Sequence, residues 1–320
     1  MRNLLIILLI SLPLFLSSQS ISENYKSAVQ HFINGNFDDA EPLFKSCIKK
    51  HQHQDSVRYY LGRIYLAKGN YNEAIDLFED VVDNNPNSSA YRHWLAQSYG
   101  IKAQNTSVLK KPKFAKKMKK ELLKAIELDA ENVEARYSLS MYYLMAPGIM
   151  GGSIEKAKEQ ASKIRELDPI RGIIVKAEIH KHAENFDLAI QEYLNGIEME
   201  EGNIVLYYNL ATTYEQNKDY DKCIETYEKI IVIDSSRLDI YYSIGRIGAL
   251  YNVQLEKAKA SFEKYLLQEP KKNQPSLAWA HYRLGMVYEK MGESALAQSE
   301  YKQALDLDPD HKEAKKALKM

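Results

Sequence analysis

The chain has 320 residues, with 43 basic and 43 acidic side chains balancing to zero formal charge. No global field therefore argues for nucleic acid or an anionic surface as partner. Lys, Glu, Ala and Leu are plentiful and alternating β-branched patterns scarce, which favours helix over strand.

The first twenty residues differ from the rest. Arg2 precedes an apolar run from Leu4 to Leu16, and Ser17-Ser18-Gln19-Ser20 follows. A short positive region, an apolar stretch and small residues beyond it make the pattern of a secretory signal peptide, 1–20. The run is shorter than the roughly 20 apolar residues a membrane span needs, and Pro13 interrupts it. The expectation is an exported chain, periplasmic or secreted, with an uncleaved N-terminal anchor as the alternative.

Beyond the leader the sequence is self-similar, and such a period governs everything else. The segment from Ile21 carries Ala28, Ala40, Phe44 and Cys47. From Asp55, "RYYLGRIYLAKGNYNEAIDLFEDVVDNNP" sets out Leu61, Gly62, Tyr65, Gly69, Tyr71, Ala74, Phe78 and Pro86. The next unit has Leu95, Ala96 and Tyr99, then resumes with Leu122 and Ala125. Another has Leu139, Ser140 and Tyr143, then Ala157 and Pro169. A weaker copy follows with Ala177, Ala189 and Tyr193, then clearer ones with Leu210, Ala211, Tyr214, Cys223 and Tyr227, and with Gly245, Ala258, Phe262 and Pro270. "HYRLGMVYEKMGESALAQSEYKQALDLDP" then restates the pattern through Leu284, Gly285, Tyr288, Gly292, Ala297, Tyr301 and Pro309. Small residues at positions 8 and 20 let two helices approach, bulky ones at 11 and 24 fill the space between, and proline at 32 ends the second helix.

This 34-residue pattern resembles the tetratricopeptide repeat family, whose unit is a pair of antiparallel helices A and B, and in particular its exported bacterial members. The resemblance covers roughly 21–320. It implies an all-α fold, a right-handed superhelical solenoid of about eight antiparallel helix pairs with a C-terminal capping helix. The repeats fall near 21–54, 55–88, 89–132 with an insertion, 133–169 with a Gly-rich insertion, 170–203, 204–237, 238–277 and 278–311. The cap is 312–320. Cys47 and Cys223 then lie five repeats apart, too far for a disulfide, and read as buried packing residues.

In the family, helix A lines the concave face, with positions 2, 5, 9, 12 and 13 pointing into it. Position 5 gives Tyr25, Tyr59, His93, Tyr137, Ile174, Tyr208, Tyr242 and Tyr282. Position 9 adds Arg63, Gln97, Thr212 and Arg246. Tyrosine rings with hydroxyl tips suit an extended peptide or partner protein, while arginine can bond carbonyls or carboxylates. The bland reading is that these tyrosines pack between consecutive helices; both can hold. The family's chaperone-tail clamp, with Lys at position 5 and Asn at 6 and 9, is not matched: Lys is missing at position 5 throughout, and Asn209 is the sole Asn of that set.

Two insertions fall in the A-to-B turns of adjacent repeats and should share one edge. The first, "KAQNTSVLKKPKFAKKMKK", holds eight lysines between Lys102 and Lys120 with no acid among them, including Lys110, Lys111 and Lys113. The second, "APGIMGGS", looks at first like a phosphate loop. No strand precedes it, no Lys-Ser follows Gly152-Ser153, and the register makes it a helix–helix turn. Pro147 stops helix A, Gly151 and Gly152 permit unusual backbone angles, and Ser153 caps helix B. The apolar pair Ile149 and Met150 either tucks onto the lysine-bearing neighbour, the favoured reading, or meets a partner.

No HExxH, GxSxG, paired CxxC or Walker A motif is present. His51/His53 and His180/His182 are spaced i, i+2, and on a helix such residues face apart, so the second pair cannot chelate one metal; no metal or cofactor is expected. Two functions result. The first is a non-enzymatic, exported scaffold that holds a protein or extended peptide in a tyrosine-lined groove, with nucleic acid excluded. The alternative is an accessory ligand-binding subunit of an envelope transport or assembly system, acting through the edge of residues 102–120 and 146–153.

Overall fold

Helix-favouring composition and the small/bulky register of the repeats produce helix almost throughout. The computed structural model describes residues 12–49, 54–271 and 274–319, and among these are seventeen α-helices, one 3-10 turn and no strand. The chain divides into two compact units, Met1–Pro169 and Ile170–Met320.

The first unit holds four helix pairs: α1 (Leu12–Ile33) with α2 (Phe37–Lys49), α3 (Gln54–Lys68) with α4 (Tyr71–Asn84), α5 (Ser89–Gln104) with α6 (Lys111–Leu128), and α7 (Val133–Met145) with α8 (Ile154–Leu167). A 3-10 turn, Gly148–Met150, lies between α7 and α8. The second unit holds α9 (Pro169–His182) with α10 (Phe186–Met199), α11 (Ile204–Gln216) with α12 (Tyr220–Ile233), α13 (Leu238–Tyr251) with α14 (Leu255–Leu266), and α15 (Leu277–Lys290) with α16 (Ser294–Leu307). The short α17 (Lys312–Ala317) packs on α16. The pairing and the terminal helix are those the period implies. The expected leader spans residues 1–20, of which 1–11 lie outside the described residues; α1 runs across its expected end.

The repeat register works through close contact. At position 8 of repeats two, seven and eight, a Cβ on Gly62, Gly245 or Gly285 would fall 2.8, 2.6 or 2.5 Å from the ring of Phe78, Phe262 or Tyr301. These rings belong to helix B and are buried, so glycine on helix A is the space they occupy. In repeat seven the turn between α13 and α14 is one residue longer than that between α3 and α4, with Asn252 and Gln254 left-handed. That extra residue moves the filling aromatic one position along, to Phe262. Side-chain caps set several helix starts: Ser88 accepts from the Tyr91 N–H, Asn132 from Ala135, Asp219 from Lys222 and Ser276 from Trp279. Cys47 and Cys223 are both buried and neither forms a disulfide, which makes them packing residues; burial pushes the Cys223 thiol up to about 12. Among the described residues no helix is long and apolar enough to cross a membrane.

Candidate functional site: tyrosine faces and an inserted edge

One contact recurs wherever position 5 is tyrosine and an aromatic stands at position 24 or, in repeat seven, at 25. In the first unit Tyr25 meets Phe44 at 6.1 Å and 70°, and Tyr59 meets Phe78 at 6.3 Å and 76°. In the second, Tyr208 meets Tyr227 at 6.0 Å and 64°, Tyr242 meets Phe262 at 5.7 Å and 81°, and Tyr282 meets Tyr301 at 5.7 Å in a tilted pair. Edge-to-face geometry of this kind adds about 0.5–1.5 kcal/mol beyond area burial. The helix-B ring is buried each time, while the helix-A tyrosine keeps part of its surface, most at Tyr208, which is 41% exposed. Each such tyrosine both packs and offers a face.

In the first unit Arg63 lies between two rings, 4.6 Å from Phe32 and 4.4 Å from Trp94, and donates to the Tyr59 hydroxyl at 3.2 Å. The result is a patch of aromatic rings around one cation, with Tyr91 and Trp94 against Tyr59. His93 sits elsewhere. It is buried, with its Nε2 3.2 Å from the Ser138 hydroxyl and 3.1 Å from the Gln97 amide, so it ties α5 to α7 and does not face solvent. Burial lowers its pKa from the ordinary histidine value, opposed by nearby Glu134. Tyr137 is half-buried on α7.

In the second unit Arg246 is already engaged, making two hydrogen bonds to the Glu215 carboxylate at 2.9 and 2.8 Å. The carboxylate expected from a partner is thus supplied by the chain itself. Tyr282 is also flanked by Trp279 and His311, and the Arg283 guanidinium lies within 6 Å of both the Trp279 and Tyr282 rings. Arg283 falls outside the position-5 and position-9 pattern and was not legible from it.

The insertions take a different form from the expected pair of loops. Most of the lysine-rich one is helix: α5 and α6 run 16 and 18 residues, and only a short turn separates them. Lys110 is the N-cap of α6, and Lys111 and Lys113 lie in its first turn. Pro112, early in that turn, costs no hydrogen bond there. The Gly-rich turn follows its expected logic more closely. Ala146, ahead of Pro147, is extended and ends α7. Gly151 is left-handed at φ +84°, and a Cβ on Gly152 would fall 1.8 Å from the Ala146 carbonyl oxygen. Ser153 accepts from the Lys156 N–H and caps α8. Tyr142 donates to the Met150 carbonyl at 2.7 Å and fastens the turn to α7.

Residues of both insertions line one cavity of about 500 Å³, between α5, α6, α7 and the 3-10 turn. Met118, Met141, Met145 and Met150 all face it. Met150 therefore tucks in as expected, whereas Ile149 does not: it is 95% exposed at the loop tip. Residues 51 and 53 lie outside the described residues; His180 and His182 sit in the last turn of α9. Among the described residues no group of three or more His, Cys, Asp or Glu side chains is placed to hold a metal ion.

Two tetratricopeptide repeat family models match the chain, one over residues 31–97 and the other over 204–236 and 278–311. Solved repeat structures superpose on it: a tetratricopeptide repeat protein from Parabacteroides merdae has a TM-score of 0.56 at 18% identity, covering 84% of this chain and 99% of that one. The chain is a tetratricopeptide repeat protein. A second repeat protein, TTC0263 from Thermus thermophilus, has a TM-score of 0.52 at 17% identity and covers 60% of this chain and 98% of its own. At these identities the likeness concerns the fold alone. By sequence this repeat protein is similar to the heat shock protein STI1 of Saccharomyces cerevisiae, 35% identical over 101 residues, 32% of this chain and 16% of that one. It is also similar to the photosystem I assembly protein Ycf3 of Prochlorococcus marinus, 29% identical over 101 residues, 31% of this chain and 56% of that one. The chain spans 16% and 56% of the length of these two curated relatives.

Proposed function

We propose that this repeat protein is a non-enzymatic scaffold of the cell envelope or secreted space that holds a protein or extended peptide on the tyrosine faces of its A helices. The observation that carries the reading is the repeated pair in which a buried helix-B ring props a partly exposed helix-A tyrosine. Packing fixes each ring, so a partner meets pre-ordered aromatic surface and little rotamer freedom is lost on binding. Tyr25 and Tyr59 beside Arg63, with Tyr137, would form the face of the first unit, and Tyr208, Tyr242 and Tyr282 that of the second. His93 and Arg246 act as internal ties. Tetratricopeptide repeats in general support protein contact, and one relative is by name an assembly protein. The leader pattern of residues 1–20 supports export.

A photo-crosslinking residue placed at Tyr208, and in a control at Val232, which is 83% exposed on α12, tests this reading in cells. A discrete crosslinked protein from position 208 and none from 232 is expected. Equal labelling from both positions would remove the tyrosine face from the account. Fractionation of the same cells, with the chain recovered only from cytoplasm, would remove export.

The cavity favours a second reading, in which the edge of residues 102–120 and 146–153 binds a ligand as part of an envelope transport or assembly system. It uses different residues, and both readings can hold together.

A further inference from the structure

From the cavity at the inserted edge, we infer a binding site for a single-chain anionic amphiphile, a long-chain fatty acid being the simplest case. The inference concerns the edge alone and is independent of the tyrosine faces.

The wall decides the buried half of the ligand. Only Gln97, Gln104 and Lys111 among its lining residues carry polar or charged side-chain ends besides the Tyr142 hydroxyl. Two of these four already spend their donors within the chain. The Gln97 amide donates to the Ser138 hydroxyl at 2.8 Å, and the Tyr142 hydroxyl donates to the Met150 carbonyl. Gln104 is exposed at the end of α5 and belongs to the rim. Away from Lys111 at the mouth, the side chains of the interior therefore offer no free donor, and a ligand carrying several acceptor atoms inside would leave them unpaired at a cost of about 1–3 kcal/mol each. Hydrocarbon is the chemistry that loses nothing there. Four methionines suit a flexible chain, because unbranched thioethers re-pack around an irregular occupant.

Size limits the ligand to one chain. A cavity of about 500 Å³ falls within the small-molecule range of roughly 300–1,000 Å³. With a methylene close in volume to a water, about 30 Å³, it accepts at most roughly sixteen carbons, too few for a two-chain lipid.

The mouth decides the head. Lys111 lines the cavity, and Lys110 and Lys113 stand beside it in the chain at the start of α6. No acid occurs between Lys102 and Lys120, and among the described residues none of these three lysines has a carboxylate within salt-bridge distance. A carboxylate at the mouth would meet unneutralised cations. Around them Val108, Leu109 and Ile149 stand 77%, 93% and 95% exposed. These tips give apolar cover to whatever part of the chain emerges from the cavity. A peptide side chain could enter the same space, but its backbone would find few polar partners at this rim.

Displacement of a fluorescent undecanoate probe from the full chain by palmitate, below its micellar concentration, tests the site. Palmitate is expected to displace the probe at micromolar concentration with one site per chain. Ala115→Trp, which fills the cavity from α6, should weaken palmitate at least tenfold. The surface variant Lys110→Glu/Lys111→Glu should weaken palmitate at least fivefold while leaving hexadecanol unchanged, and it keeps the test decisive if the tryptophan variant fails to fold. Val232→Ala, at an exposed residue of α12 outside both sites, should leave palmitate binding unchanged. Absence of displacement by palmitate, or undiminished binding in a folded Ala115→Trp, would overturn the site. Equal response of palmitate and hexadecanol to the charge reversal would overturn the anionic head. Binding confined to two-chain phospholipid vesicles or to an amphipathic peptide would overturn the single-chain occupant.

Discussion

At Gly245 a single methyl group would fall 2.6 Å from the Phe262 ring, and at Gly148 it would meet nothing within 4 Å. Gly245→Ala should therefore cost about 1–3 kcal/mol, the range for overpacking a filled core, and Gly148→Ala far less, as urea unfolding would measure. Equal losses would show that the position-8 glycine is not reserved for the ring. The small residue at position 8 and the bulky one at 24 were legible because their spacing is fixed within one repeat. His93 was not, since its partner Ser138 lies one repeat on and only packing brings the two together. Its burial makes a pH prediction. The folded-state pKa is depressed while the unfolded chain titrates near 6.5, so below about pH 6.5 the unfolded state binds the proton more readily. Its contribution is complete above that value and shrinks as pH falls. The stability lost between pH 7.5 and 5.5 should be smaller in His93→Gln than in the natural chain; an unchanged loss would clear His93 of that role.

The elements at the inserted edge show how far helix periodicity carries. The position of both insertions followed from the interrupted register, and Pro147, Gly151, Gly152 and Ser153 each have the stop, turn or cap role their chemistry suggests. The helical extent of the lysine-rich segment was hard to read because its apolar stripe, Phe114, Met118, Leu122 and Ala125, is sparse among eight lysines, and α6 gains further support from tertiary contact. Lys117 donates to Glu79 and Tyr99 at 3.1 Å each, and Lys119 lies over the rings of Tyr142 and Tyr143. The four cavity methionines were equally silent, each reading alone as ordinary core. Two substitutions probe the turn. Ser153→Ala removes the cap of α8 and should cost about 1 kcal/mol. Gly152→Ala sets a methyl against a backbone carbonyl that cannot rotate away, so in place of the gain of about 0.4–1 kcal/mol that an unstrained Gly-to-Ala change brings, it should lose more than about 1 kcal/mol. Thermal melts of the two variants should rank Gly152→Ala below Ser153→Ala.

Over the whole molecule, each unit repeats one device, a tyrosine held edge-on by a buried aromatic and exposed on its other side. The same ring thus contributes to the core and presents surface, so stability and recognition must be measured separately. The edge of residues 102–120 and 146–153 lies in the first unit, whereas Tyr208 lies in the second, which makes a loss at one site distinguishable from a loss at the other. The most direct test of the tyrosine faces is the affinity of peptides selected on the full chain from a displayed library of extended sequences, measured for the natural protein and for Tyr208→Ala. At least tenfold weaker binding is predicted for Tyr208→Ala, with the second unit still folded by circular dichroism. A Tyr208→Ala chain that melts earlier yet binds the selected peptides with unchanged affinity would contradict the account.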